Sequence, residues 1–85
     1  MQPLHQHPLM PVLQRFPNCR VRIDAKDHPP PPFHVQLNDG REAWVSIRPL
    51  HIIHGRVAAR EIAEVLAWAS ERQDWLRDTF EELQR

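Results

Sequence analysis

Four things are scarce in this chain, and each scarcity closes off a class of function. Length is the first: 85 residues leave room for one modest core and no second domain, which excludes an enzyme built around a large interior. Cysteine is the second. Cys19 stands alone, so no internal disulfide can staple the fold, and no basic stretch followed by an apolar one opens the chain; a reducing cytoplasm is the expected compartment. Third, neither sign of charge is in surplus, with 11 Lys+Arg against 11 Asp+Glu. No global field draws the chain to nucleic acid or to an anionic membrane, and either role would need a local patch. Last, no apolar run approaches the roughly 20 residues of a membrane-spanning helix, so a soluble protein with no membrane partner is expected.

Proline is plentiful instead. In Asp27-His28-Pro29-Pro30-Pro31-Pro32-Phe33-His34-Val35, four prolines separate two histidines just ahead of a strand-like run. Each proline fixes φ near −65° and removes an amide donor, so the run is expected to stand extended as polyproline II. Asp27 and His28 at one end and His34 at the other would then be held a set distance apart. His28 and His34 are the candidate catalytic residues.

Alternation of apolar and polar residues marks the strands. Met1 to Leu9 has no period and contains Pro3 and Pro8; it is expected to be a disordered extension, with His5 and His7 solvated, ahead of a single domain spanning residues 10–85. Val12 to Phe16 fits a short edge strand closed by Pro17-Asn18. Cys19 to Ala25 alternates, with Cys19, Val21, Ile23 and Ala25 on one side and Arg20, Arg22 and Asp24 on the other. Phe33 to Leu37 and Ala43 to Ile47 alternate likewise around Asn38-Asp39-Gly40, a hairpin signal. A two-residue turn would mix Phe33, Val35 and Leu37 with Glu42 and Ser46. A three-residue loop instead pairs Val35 with Ala43 and Phe33 with Val45, gathers the apolar side chains, and places Gly40 in the left-handed position such loops require. That register sets His34 opposite Trp44, on one polar face with Gln36, Glu42 and Ser46, and Arg20, Arg22 and Asp24 join it. After Pro49, Leu50 to His54 can resume as a further short strand.

From about Val57 the period becomes helical, with Ile62, Val65, Leu66, Ala69, Leu76, Phe80 and Leu83 on one stripe. Ser70 and Gln73 have capping-box spacing, so the stretch reads as two helices or as one kinked helix. Trp68 and Trp75 share a face beside the stripe and read as core. The expected fold is α+β: an antiparallel sheet of three to four strands covered on one face by the C-terminal helical region.

With these elements in place, Met10 to Arg85 resembles DUF4160, a small bacterial family of unknown function. The resemblance rests on Met10-Pro11, Arg15-Phe16, Asp27-His28, Pro30-Pro31, Phe33-His34-Val35, Trp68 and Leu76. Two positions depart from the family pattern: its middle histidine corresponds to Pro32 and its asparagine to Pro29. The resemblance implies an α+β domain. It also implies a gene neighbourhood shared with a second small domain, DUF2442, in a pattern suggestive of toxin–antitoxin modules.

Three functions compete. The first is a histidine-dependent site: His34 as general base with Arg20 or Arg22 holding a phosphate, as in a small ribonuclease, or a metal enzyme using His28 and His34 with Asp27 or Asp24. Pro32 removes the third imidazole of a His-x3-His-x-His array, so no metal ligand set and no cofactor are expected. The second is single-stranded nucleic-acid binding through Arg20, Arg22, Arg41 and Trp44, diluted by Asp24 and Glu42. The third is favoured: a cytoplasmic protein-interaction module that binds a small partner, of DUF2442 type in the gene context the resemblance implies, as one half of a toxin–antitoxin-like pair. Arg20, Arg22, Trp44 and Asp27 are its expected binding residues.

Overall fold

The computed structural model describes residues 11–84; the extension expected before Met10 lies outside them. Five strands form one antiparallel sheet in the order β1-β2-β3-β4-β5, made of Val12–Phe16, Cys19–Arg22, Pro32–Leu37, Glu42–Ser46 and His51–His54. This exceeds the expected three to four, because both short segments, β1 before Pro17 and β5 after Pro49, pair with their neighbours. A 3-10 helix, Ala59–Ile62, leads into α1, Ala63–Ser70, and α2, Gln73–Leu83. No helix among the described residues is long and apolar enough to cross a membrane.

The central hairpin adopts the register that face-matching demands. Phe33 pairs with Val45, His34 with Trp44 and Val35 with Ala43. Leu37 N–H donates to Arg41 O at 2.8 Å, which closes a loop of Asn38, Asp39 and Gly40, and Gly40 has φ +97°. One-residue slippage would put Phe33, Val35 and Leu37 on the same face as Glu42 and Ser46, so burial itself specifies the pairing. Gly55 is required for another reason. Its φ is +109°, and an added Cβ would run into the carbonyl oxygen of Glu42 and stand 2.9 Å from Ala43 Cα.

All of Cys19, Val21, Ile23, Phe33, Val35, Leu37, Ala43, Val45 and Ile47 are buried on one face of the sheet. Against them pack Ile62, Val65, Ala69, Leu76 and Phe80, with Leu66 and Leu83 at the margin. The apolar stripe read from the helical period is therefore the buried stripe, and each buried aliphatic side chain contributes about 1.5–3 kcal/mol relative to exposure.

Two helical expectations need correction. The break between α1 and α2 exists, but Ser70 does not cap: its hydroxyl donates back to Ala67 O at 2.8 Å, and Gln73 Nε2 donates to Ile47 O at 2.8 Å. Arg72 takes the N-cap place with no side-chain cap bond. Trp75 is also not core. It is 47% exposed and meets half-buried Trp68 edge-on, with centroids 6.1 Å apart. The helix break at residues 71–72 rotates the second tryptophan away from the stripe that a single helix would have given it.

Candidate functional site

Sheet register builds the polar face row by row. Arg22 pairs with His34, His34 with Trp44 and Trp44 with His54, which makes one row across four strands. The next row runs Arg15, Arg20, Gln36, Glu42. Side chains alternate along each strand, so both rows point away from the helices. His54 belongs to this face only because the bulge between Trp44 and Val45 shifts the local register, whereas Arg15 pairs with Arg20 on the turn side of the irregularity between Val12 and Gln14. Nothing in the alternation of the sequence signals that bulge.

His34 sits at the centre and is 3% exposed. Its Nε2 lies 2.8 Å from Asp27 Oδ2, and its Nδ1 lies 2.9 Å from Glu42 Oε2. Trp44 Nε1–H donates to the same Glu42 oxygen at 3.0 Å, and its ring meets the imidazole edge-on at a centroid distance of 4.9 Å. His54 stacks obliquely on the far side of Trp44 at 5.0 Å. Every buried side-chain nitrogen and oxygen among the described residues has a partner. A neutral imidazole has one N–H and one lone pair, so two carboxylates at its two nitrogens leave no lone pair facing open space. In this arrangement His34 cannot reach a substrate proton. The face assigned to it was correct, but its exposure was not.

The proline run explains that burial, and it does so by turning back. A polyproline II rod from Asp27 to His34 would span about 22 Å, yet the two side chains touch. The reversal starts at Asp24, whose Oδ1 accepts from Lys26 N–H at 2.9 Å while its carbonyl accepts from Asp27 N–H at 3.2 Å; this is the local bonding by which aspartate turns a chain. Gln84, after α2, pins the loop by donating to Ala25 O at 3.4 Å and Asp27 O at 3.1 Å. Asp27 is thereby laid over the sheet onto His34. His28 is exposed and has no hydrogen bond among the described residues, so the two candidate histidines do not form a pair. One oxygen each from Asp24 and Asp27 and one ring nitrogen of His34 lie within 4.8 Å of one another.

Arginines divide into two groups. Arg20 Nε donates to Gln36 Oε1 at 2.8 Å, and Arg22 Nη1 approaches the same oxygen at 3.4 Å, so one amide orients both guanidinium groups on the polar face. Arg41 does not share that face, contrary to expectation. Its guanidinium donates to Glu61 Oε1 at 2.7 Å, to Asp39 Oδ2 at 2.9 Å and to Arg56 O at 3.0 Å, clamping the hairpin loop to the start of the helical region. The Arg41 hydrogen bond, followed by one from Ala58 N–H, lowers the Glu61 carboxyl to about 2. Hydrogen bonding to Arg41 likewise lowers Asp39. Cys19 is buried, and that desolvation, with a smaller push from the Glu64 charge, raises its thiol; a raised thiol is a poor nucleophile.

No curated protein and no solved structure matches the chain, whereas a family model described as a domain of unknown function (DUF4160) matches residues 19–81.

Proposed function

Because the chain belongs to the DUF4160 family, whose description assigns no activity, its own surface has to supply the reading: we propose that it is a small protein-interaction module that binds a partner through the polar face of its sheet. The observation that carries this is the division of labour on that face. Both nitrogens of His34 are engaged by carboxylates, while Arg15 is exposed and Arg20, Arg22 and Trp44 beside it are part-exposed. The buried network holds the surface in shape, and the arginines and the indole meet the partner, the side-chain types that most often anchor protein interfaces. The partner is a small protein presenting acidic side chains to the Arg15–Arg20–Arg22 end, of DUF2442 type and encoded beside this chain, with the two acting as a toxin–antitoxin-like pair in the cytoplasm.

Co-expression with the adjacent gene product, followed by pull-down and growth assays, tests the reading. A complex that forms with the native chain and is lost with Arg15→Glu and Arg20→Glu, both still folded by circular dichroism, is the expected outcome. No complex and no effect on growth would overturn it.

One observation favours a second reading. Arg15, Arg20, Arg22 and Trp44 share one face of the sheet, and a basic surface carrying an aromatic ring holds single-stranded nucleic acid by charge and stacking. Salt-dependent binding of a labelled single-stranded RNA, weakened by the same two reversals, would favour it over the protein partner.

A further inference from the structure

Around His34 the sheet and its loop gather three carboxylates. Asp27 and Glu42 contact the ring, and an Asp24 oxygen lies within 4.8 Å of both a ring nitrogen and an Asp27 oxygen. Arg22 is the cross-strand neighbour of His34, and Gln36 Oε1 is among its partners. Glu42 is also held in place by Trp44 Nε1–H. A carboxylate held rigidly behind Nδ1 is the arrangement that fixes an imidazole in the Nδ1–H tautomer and turns its Nε2 lone pair toward a metal. Here Nε2 lies 2.8 Å from Asp27 Oδ2 in a residue that is 3% exposed, and in that tautomer its lone pair is what the atom offers as a ligand. A divalent cation between them, with the carboxylate drawn back, would replace that contact by two metal bonds.

We propose that Asp24, Asp27 and His34 form a binding site for a first-row divalent cation, with Glu42 as the carboxylate that orients the imidazole. From sequence, His34 is paired with His28 and one of the two aspartates; here His28 drops out and both aspartates join, brought to the sheet by the turn of the folded loop. Zinc bonds of about 2.0–2.2 Å to nitrogen and oxygen place tetrahedral ligand atoms about 3.4 Å apart. The present spacings, 2.8 Å for one pair and no more than 4.8 Å for the others, reach that value if Asp27 withdraws by about half an ångström and Asp24 swings inward. Asp24 and Asp27 are only part-buried, which leaves the ion a path and a place for water as its fourth ligand. One imidazole with two carboxylates suits zinc or manganese better than magnesium or calcium, which take oxygen alone, and zinc binds the tighter of the two. The bound ion would tie the residue 24–31 loop to the sheet, so it stabilises the native state by mass action.

Titration of the full chain with zinc chloride, followed by calorimetry and by the thermal midpoint, tests the site independently of any partner. Because His34→Ala removes a buried group and is expected to unfold the chain, the discriminating variant is Asp24→Asn, which keeps the oxygen that accepts from Lys26 N–H. Binding of one zinc per chain with a raised midpoint, weakened at least about tenfold by Asp24→Asn and unchanged in a His5→Ala, His7→Ala, His28→Ala triple variant, is the expected result. No binding, binding unaffected by Asp24→Asn, or binding lost in the triple variant would each overturn the proposal; the last would place the ion on the other histidines.

Discussion

Two clusters in this chain share a formula, a nitrogen-bearing side chain held between two carboxylates, and differ in where the fold puts them. His34 lies between Asp27 and Glu42 with its side chain 4% exposed. Arg41 lies between Asp39 and Glu61 with 40% exposure. The distances are nearly equal, 2.8 and 2.9 Å in the first and 2.9 and 2.7 Å in the second. Geometry alone would rank them together. Solvent separates them, because water screens the exposed pair and competes for its hydrogen bonds, whereas a buried group whose partner is removed has nothing to turn to.

The largest effect should therefore come from His34. His34→Ala leaves Asp27 facing a void, and urea unfolding is expected to show a loss of about 3–5 kcal/mol, enough to unfold most of a small domain. A loss under about 1 kcal/mol would place this cluster in the same class as an exposed one. Val45→Ala, on the other face of the same strand, should cost roughly 2–3 kcal/mol through lost burial. Trp44→Ala should fall below that, at about 1–2 kcal/mol, because the indole is half-buried and its loss uncovers His34 without opening the core. Were Trp44→Ala to cost more than Val45→Ala, the indole would be the true lid of the network and a poor choice for a contact surface.

Smaller still is the pH effect of the exposed cluster. The Glu61 carboxyl is lowered from 4.5 to about 2 in the folded chain, so the folded state favours the ionised form. Its contribution is fully present above about pH 4.5 and is lost as pH falls toward 2, where the unfolded chain takes up the proton first. Glu61→Gln should lower stability slightly at neutral pH and meet the native chain near pH 2, which flattens the acid limb of a stability–pH curve; an unchanged acid limb would show that Arg41 does not hold Glu61 in solution. High salt should weaken the same clamp and spare the His34 network. At the bottom of the scale, Arg15→Ala should leave the thermal midpoint almost untouched while reducing partner capture.

Particular residues show what was readable and what was not. Phe33, Val35 and Leu37 against Ala43, Val45 and Ile47 dictated the hairpin register, since only one pairing buries all six, and with it came the placing of His34 opposite Trp44 on the polar face. Periodicity likewise gave Ile62, Val65, Ala69, Leu76 and Phe80 as one buried stripe. Arg41 was misplaced because alternation says which side of a strand a residue takes, and Arg41 stands in the loop between strands, where its partner Glu61 is twenty residues away. His54 was missed at this site because a single bulge moves a side chain across a sheet without a mark in composition, and Arg15 because its place follows from the pairing of β1 with β2.

By itself, then, the sequence determined what depends on local period and burial: the class of fold, the order of its elements, the core face and the polar face. Those follow from alternation at period 2 or 3.6, which any chain writes into its residues one after another. Only the tertiary structure decided what the polar face is for. The Asp24 turn, the return of the proline run and the grip of Gln84 on residues 25 and 27 bring Asp27 onto His34, and that contact converts a candidate catalytic base into an enclosed group between carboxylates. Its cause is non-local. Charge, burial and hydrogen-bond partners at one atom are set by side chains from a loop, two strands and the end of a helix, and no window of sequence contains them all.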